Sequence, residues 1–129
     1  SQVSALHGGW RGLASGIIES GVSRFEGTGP LMAWLGPAIG PACFEVGDEV
    51  RDDFLSQNAH LGKAFRPGDV RGKWWADLYK VATVLLNAAG VSAVFGGGFC
   101  TFSESRFYSF RRDGRRSGRM ASLIWINPD

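Results

Sequence analysis

Residues 3–35 carry the pattern that most restricts the fold: an apolar run, a glycine turn, a helical stripe, a second turn and a second apolar run. Val3-Ser4-Ala5-Leu6 leads to His7, Gly8-Gly9 turn the chain, and from Leu13 the apolar positions Ile17, Ile18, Val22 and Phe25 recur at helical spacing. This predicts a buried strand over 3–6 and an amphipathic helix from Trp10 or Gly12 to about Arg24. Gly27-Thr28-Gly29-Pro30 ends the helix, and Leu31-Met32-Ala33-Trp34-Leu35 reads as a second buried strand. Strand, helix and strand joined by short loops make a βαβ unit with a right-handed crossover, which would bring the strand ends at His7 and Gly36 near one another.

The first turn, His7-Gly8-Gly9-Trp10-Arg11-Gly12, concentrates chemistry. Side chains at the carboxyl end of a strand face the crevice where open α/β sheets bind ligands. The first amides of a helix have no intrahelical partners and favour an anion. Arg11 adds a planar, permanently charged fork suited to carboxylate or phosphate, with Gly12 beside it. His7 offers a metal ligand or a proton-transfer group. The same residues also fit a buried histidine, a glycine turn and a surface arginine.

Further along, Gly36-Pro37-Ala38-Ile39-Gly40-Pro41-Ala42-Cys43 holds two Gly-Pro pairs, each fixing φ and removing an amide donor, so it reads as a stiff loop: a site wall or a rigid connector. Cys43 has no histidine near it in sequence and reads as a buried structural thiol. Val46, Val50 and Phe54 repeat every four residues behind an acidic first turn, a helix signal; Glu45 is a candidate acid or base, or a cap. His60 lies in a polar loop, and 65–69 is rich in turn residues. Leu78, Val81, Ala82, Leu85, Leu86 and Ala89 form the cleanest helical stripe, over 76–89, with Asp77 in its first turn and Gly90 as its stop. Residues 91–95 read as a third strand, followed by Gly96-Gly97-Gly98; with no Lys-Ser/Thr behind it, the triplet reads as a close backbone approach beside the core, not a phosphate loop. Cys100 follows. Residues 106–116 mix five arginines with three aromatics, an ordinary strand and charged turn from which Arg111 or Arg112 could reach an anion. Residues 120–126 read as a last, central strand.

Composition sets limits. At 129 residues the chain is the size of one domain, and 44% hydrophobic content can furnish a core. A net charge of +2 gives no basis for general nucleic-acid binding, and no apolar run approaches the ~20 residues that span a bilayer. Two distant cysteines, Cys43 and Cys100, make neither a zinc ribbon nor a disulfide framework, so a reducing, cytoplasmic setting is the expectation, with one bridge between them left open. Nineteen glycines imply many tight turns and close approaches.

The stretch HGGWRGLASGIIE resembles the His-Ala-Gly-Trp-Arg-Gly motif of the laccase-domain proteins. The likeness continues through LGPAIGPACFEVG (35–47), FCT (99–101), FYSFRRDG (107–114) and GRMASLIWI (118–126), in order along essentially the whole chain. These proteins were first called multicopper polyphenol oxidases and are now regarded as zinc-dependent purine nucleoside phosphorylases with adenosine deaminase activity. The resemblance implies an α/β or α+β fold, with mixed β-sheets flanked by helices in an α-β-β-α sandwich. It implies a zinc site of three residues, with His7 matching the last; the first two, a histidine and a cysteine, belong to an N-terminal half that this sequence does not contain. On this reading residues 1–129 are the C-terminal part of a laccase-type domain. They would take a purine nucleoside and phosphate through His7, Arg11 and Gly12, and would associate with the missing half or with themselves across a bare apolar sheet face. The competing expectations are a Cys–His hydrolase using Cys43 or Cys100, a copper-dependent phenol oxidase, and an inactive anion- or partner-binding fragment.

Overall fold

The computed structural model describes residues 1–128. Its class is mixed α+β, with one parallel and one antiparallel sheet flanked by helices. Helices α1 (Trp10–Ala14) and α2 (Ile17–Val22) come first, then strands β1 (Met32–Leu35) and β2 (Glu45–Gly47) and helix α3 (Asp48–Gln57). A 3₁₀ helix (Ala59–Ala64) leads into β3 (Phe65–Pro67), β4 (Lys73–Ala76), α4 (Leu78–Ala88) and β5 (Ala93–Gly96); α5 (Phe110–Asp113) and a 3₁₀ turn (Gly114–Arg116) follow.

The stripe at 78–86 does what its periodicity predicts. Leu78, Val81, Ala82, Leu85 and Leu86 are buried, and α4 packs on α1, α2 and the 3₁₀ helix. Its start is set by Asp77, whose side chain accepts the Lys80 amide at 3.0 Å. Its end is a Schellman arrangement in which Val91 N–H reaches Leu86 O and Gly90 N–H reaches Asn87 O. Val46, Val50 and Phe54 also join the core, with Phe54 against Phe65 at 5.8 Å between ring centroids.

The expected parallel pairing exists with a different partner. β1 pairs with β5, Leu35 opposite Gly96, and not with 3–6. Residues 3–6 are not a strand: the segment lies along α2, Leu6 on Gly21 and the Gln2 side chain accepting the Glu26 amide at 2.9 Å. Val3 and Leu6 stay exposed. The segment has the apolar composition of a strand, but a strand needs a neighbouring backbone, and none reaches it among the described residues. The single helix expected to about Arg24 is likewise two short ones, broken at Gly16, whose φ of +93° cannot continue a right-handed helix.

Three further expectations are corrected. Residues 65–67, read as turn, and 73–76, whose Ala76 is expected at the head of the helix, are the two strands of an antiparallel pair, extended by β2 in the order β2-β4-β3. Residues 106–110 form no strand; Ser109 instead caps the one-turn helix α5 through the Arg112 amide. Residues 120–126 are not a central strand but exposed chain outside any helix or strand, with Leu123 and Trp125 at 78% and 70% exposure. No helix among the described residues is long and apolar enough to cross a membrane.

Candidate functional site

His7 and Arg11 both lie on the surface, on either side of the Gly8-Gly9 bend. Gly8 sits against Ile17 and Leu13, where a Cβ would be 3.2 Å from Ile17 Cγ2, so the bend presses onto the helices and leaves its polar groups outside. Arg11 lays its guanidinium 4.7 Å from the Trp10 ring centroid and, among the described residues, forms no ion pair. Gly12 is half-buried: an added Cβ would be in ordinary contact with His7 O and Ile17 Cγ2, at 3.8 Å each. His60 is exposed in the 3₁₀ helix and Glu45 is exposed on β2. Among the described residues no three His, Cys, Asp or Glu side chains gather as a metal site.

A cleft lies elsewhere. β1 and β5 run parallel and end together, so the loops leaving their carboxyl ends start side by side. That is where parallel sheets place ligands. Loop 40–43 and residues 96–100 line a cleft of about 510 Å³, joined by Asp77 and Tyr79 from the start of α4 and by Ser103 and Glu104. Tyr79 fastens the two loops: its hydroxyl accepts the Ala38 amide and donates to Phe99 O, each at 2.8 Å. Thr101 N–H closes on Ala38 O at 3.0 Å. Burial holds the Tyr79 phenol above its ordinary range.

Both cysteines belong to this cleft. Cys43, expected to be a buried structural thiol, is half-buried and free, and so is Cys100. Burial acts to raise Cys100, but the Ser103 hydroxyl and the amides of Ser103, Gly40 and Phe102 face its sulfur and outweigh it, bringing its pKa from 9.0 to about 7. The Gly40 amide stands 3.2 Å from Sγ. Cys43 moves the other way, raised by burial and by its hydrogen bond to Cys100. Glu104 accepts the Cys100 amide at 2.6 Å and pairs with Arg106 at 2.7 Å, and these contacts hold its carboxyl below the usual range.

Sequence reasoning missed this cleft because its walls lie far apart in the chain. The available signal was the pairing of two glycine-rich, cysteine-ended loops, 36–43 and 96–100, each following a short apolar run. The arginine cluster resolves differently from expectation. Arg112 spends its guanidinium on the carbonyls of Thr101, Phe102 and Phe107 and on Asp113, while Arg111 rests 5.2 Å from the Phe44 ring centroid. Arg112 therefore clasps the 101–107 loop behind Cys100.

Comparison with known proteins gives the chain its kin. A purine nucleoside phosphorylase of Pseudomonas aeruginosa is 52% identical over 128 residues, which cover 98% of this chain and 52% of that protein. Purine nucleoside phosphorylase YfiH of Escherichia coli is 47% identical over 129 residues, 98% of this chain and 51% of that protein. The crystal structure of a Neisseria meningitidis protein superposes with a TM-score of 0.76 at 39% identity, over 84% of this chain and 45% of the other. YlmD from Geobacillus stearothermophilus gives 0.71 at 34% identity, over 82% and 42%. The chain thus spans about half the length of the curated relatives it matches. With a family match running unbroken over residues 1–127, the chain belongs to the family described as multi-copper polyphenol oxidoreductase laccase.

Proposed function

We propose that this chain contributes part of a purine nucleoside phosphorylase site, with Arg11 and the backbone at Gly12 holding phosphate. The observation that carries the reading is the 52% and 47% identity, across 98% of the chain, to relatives named purine nucleoside phosphorylase. In phosphorolysis a phosphate oxygen bonds to the anomeric carbon as the bond to the purine nitrogen breaks; the purine leaves with the bonding electrons and takes up a proton. An exposed arginine that pairs with no carboxylate among the described residues suits the anion, and its planar fork can fix two phosphate oxygens at once.

His7 supplies one imidazole toward zinc, and zinc with an open position would activate the water needed for adenosine deamination. The described residues do not by themselves make a three-ligand zinc site. We therefore place the remaining ligands, and with them any deaminase activity, in the part of the relatives' length that these 129 residues do not span. A cysteine-hydrolase reading draws support from Cys100, but neither histidine lines its cleft to act as the base.

The test is release of hypoxanthine from inosine with inorganic phosphate. The chain alone should give background rates and bind zinc weakly. Adding a polypeptide that corresponds to the rest of the Pseudomonas relative should restore phosphate-dependent release. In that mixture Arg11→Ala should raise the KM for phosphate by about tenfold or more, a loss of about 1.4 kcal/mol. Full activity from the lone chain would overturn the split site, and an unchanged phosphate KM would remove Arg11 from it.

A further inference from the structure

We propose that Cys43 and Cys100 form a peroxide-sensitive thiol pair that closes to a disulfide in the cleft at the ends of the parallel strands. This goes beyond nucleoside chemistry and does not depend on it. The pair is built by two loops that the fold holds against each other. Residues 40–43 make a turn closed by Cys43 N–H on Gly40 O at 3.0 Å. The amide of the same Gly40 rests on Cys100 Sγ at 3.2 Å, and a Cβ on Gly40 would stand 3.1 Å from Cys100 Cβ. The turn thus carries Cys43 from the same Gly40 that touches Cys100, and both cysteines line the one cleft. The crossing is locked from outside by Tyr79 and by the Thr101–Ala38 bond.

The two thiols are unequal, and the inequality assigns their roles. Cys100 is held as an acceptor by surrounding donors and attacks; Cys43 keeps its proton longer and resolves. With a hydroperoxide as oxidant, the Cys100 thiolate attacks one peroxide oxygen, the O–O bond breaks and hydroxide leaves, giving a sulfenic acid. The Cys43 sulfur then attacks the Cys100 sulfur, the S–O bond breaks, and the Cys43 proton leaves with that oxygen as water. One thiolate, one thiol and one hydrogen peroxide become one disulfide, one hydroxide and one water. Gly96, Gly97 and Gly98 supply a wall without side chains, so a reagent as small as a peroxide reaches the sulfur.

The experiment treats the reduced full chain with a small excess of hydrogen peroxide, blocks remaining thiols by alkylation, and reads intact mass and proteolytic peptides. The expected result is loss of both alkylatable thiols together, a mass lower by two hydrogen atoms, one peptide linking Cys43 to Cys100, and reversal by dithiothreitol. Under the same exposure Cys43→Ser should accumulate a dimedone-reactive sulfenic acid at Cys100, and Cys100→Ser should leave Cys43 unlabelled. Two thiols still alkylatable after treatment, disulfides between chains only, or first oxidation at Cys43 would each overturn the proposal. The wild-type arm decides without the variants should either fail to fold.

Discussion

At the scale of single residues, position within the loop network decides behaviour more than residue type does. Cys43 and Cys100 share a side chain and a cleft, yet burial and the Cys100 contact push one up while convergent donors bring the other to about 7. Alkylation of Cys100 by iodoacetamide should therefore be half-maximal near pH 7, and Ser103→Ala should move the midpoint upward. The side chains that share the cleft with that sulfur include Cys43, Tyr79, Asp77 and Glu104, none of them a cation, so the charged Cys100 is sustained by hydrogen-bond donors. Because the folded value lies below the unfolded one, this group adds stability that is complete above pH 9 and falls away as pH drops through about 7. A pH series of urea midpoints, compared between wild type and Cys100→Ser, checks the sign. Tyr79→Phe should cost about 1–3 kcal/mol, since it strips the partner from the Ala38 amide and leaves Phe99 O without its donor. The sequence offered 36–43 as a possible site wall and Cys43 or Cys100 as candidate thiols, but not the cleft that joins them. Cys43 and Cys100 are visible there as thiols, but their meeting depends on a contact across more than fifty intervening residues.

At the scale of elements, what could be read was what local chemistry specifies. The α4 stripe, its Asp77 start and its glycine stop are all encoded within a few residues of where they act, and all three are found. Asp77→Ala should cost about 1 kcal/mol in chemical denaturation through loss of the cap. β1 and β5 were legible as short apolar runs, though not as each other's partners. The strands β2, β3 and β4 escaped because three or four residues carry almost no period, and Pro67 and Gly68 read as turn. The failures at 3–6 and 120–126 have the opposite cause: the apolar signal is there, but sheet membership is a property of the neighbouring backbone. Gly96 shows how tightly the one parallel pair is specified. Its φ is +89°, and a Cβ there would run into the Leu35 carbonyl and amide of the facing strand. Gly96→Ala should therefore cost more than about 2 kcal/mol and open the cleft at its base, seen as a lowered urea midpoint with faster Cys100 alkylation.

At the scale of the whole molecule, the distribution of apolar surface is lopsided. The three-stranded sheet and α3 and α4 close over a buried core, whereas the parallel pair stands alone with two strands, fewer than a sheet usually needs. β1 shows why: Ala33 and Leu35 turn to the core while Met32 and Trp34 face outward at 76% and 62% exposure, joined on β5 by Phe95 at 56%. Val3, Leu6 and the run Leu123-Ile124-Trp125-Ile126 add to this exposed apolar surface. A strand with one apolar side in water and unpaired amides on its edge favours any arrangement that covers both. The lone chain should accordingly self-associate, with sedimentation velocity giving a weight-average mass that climbs with concentration, and should bind a hydrophobic dye. Trp34→Asp with Phe95→Asp should shift it toward monomer and reduce dye binding, while α4 and the core, which these side chains do not enter, keep the far-ultraviolet circular dichroism unchanged. A segment that completes the parallel sheet should compete with self-association, so the polypeptide that restores phosphorolysis should also dissolve the oligomer. A concentration-independent monomer that excludes the dye would show instead that the outward Trp34 and Phe95 are covered from within the chain.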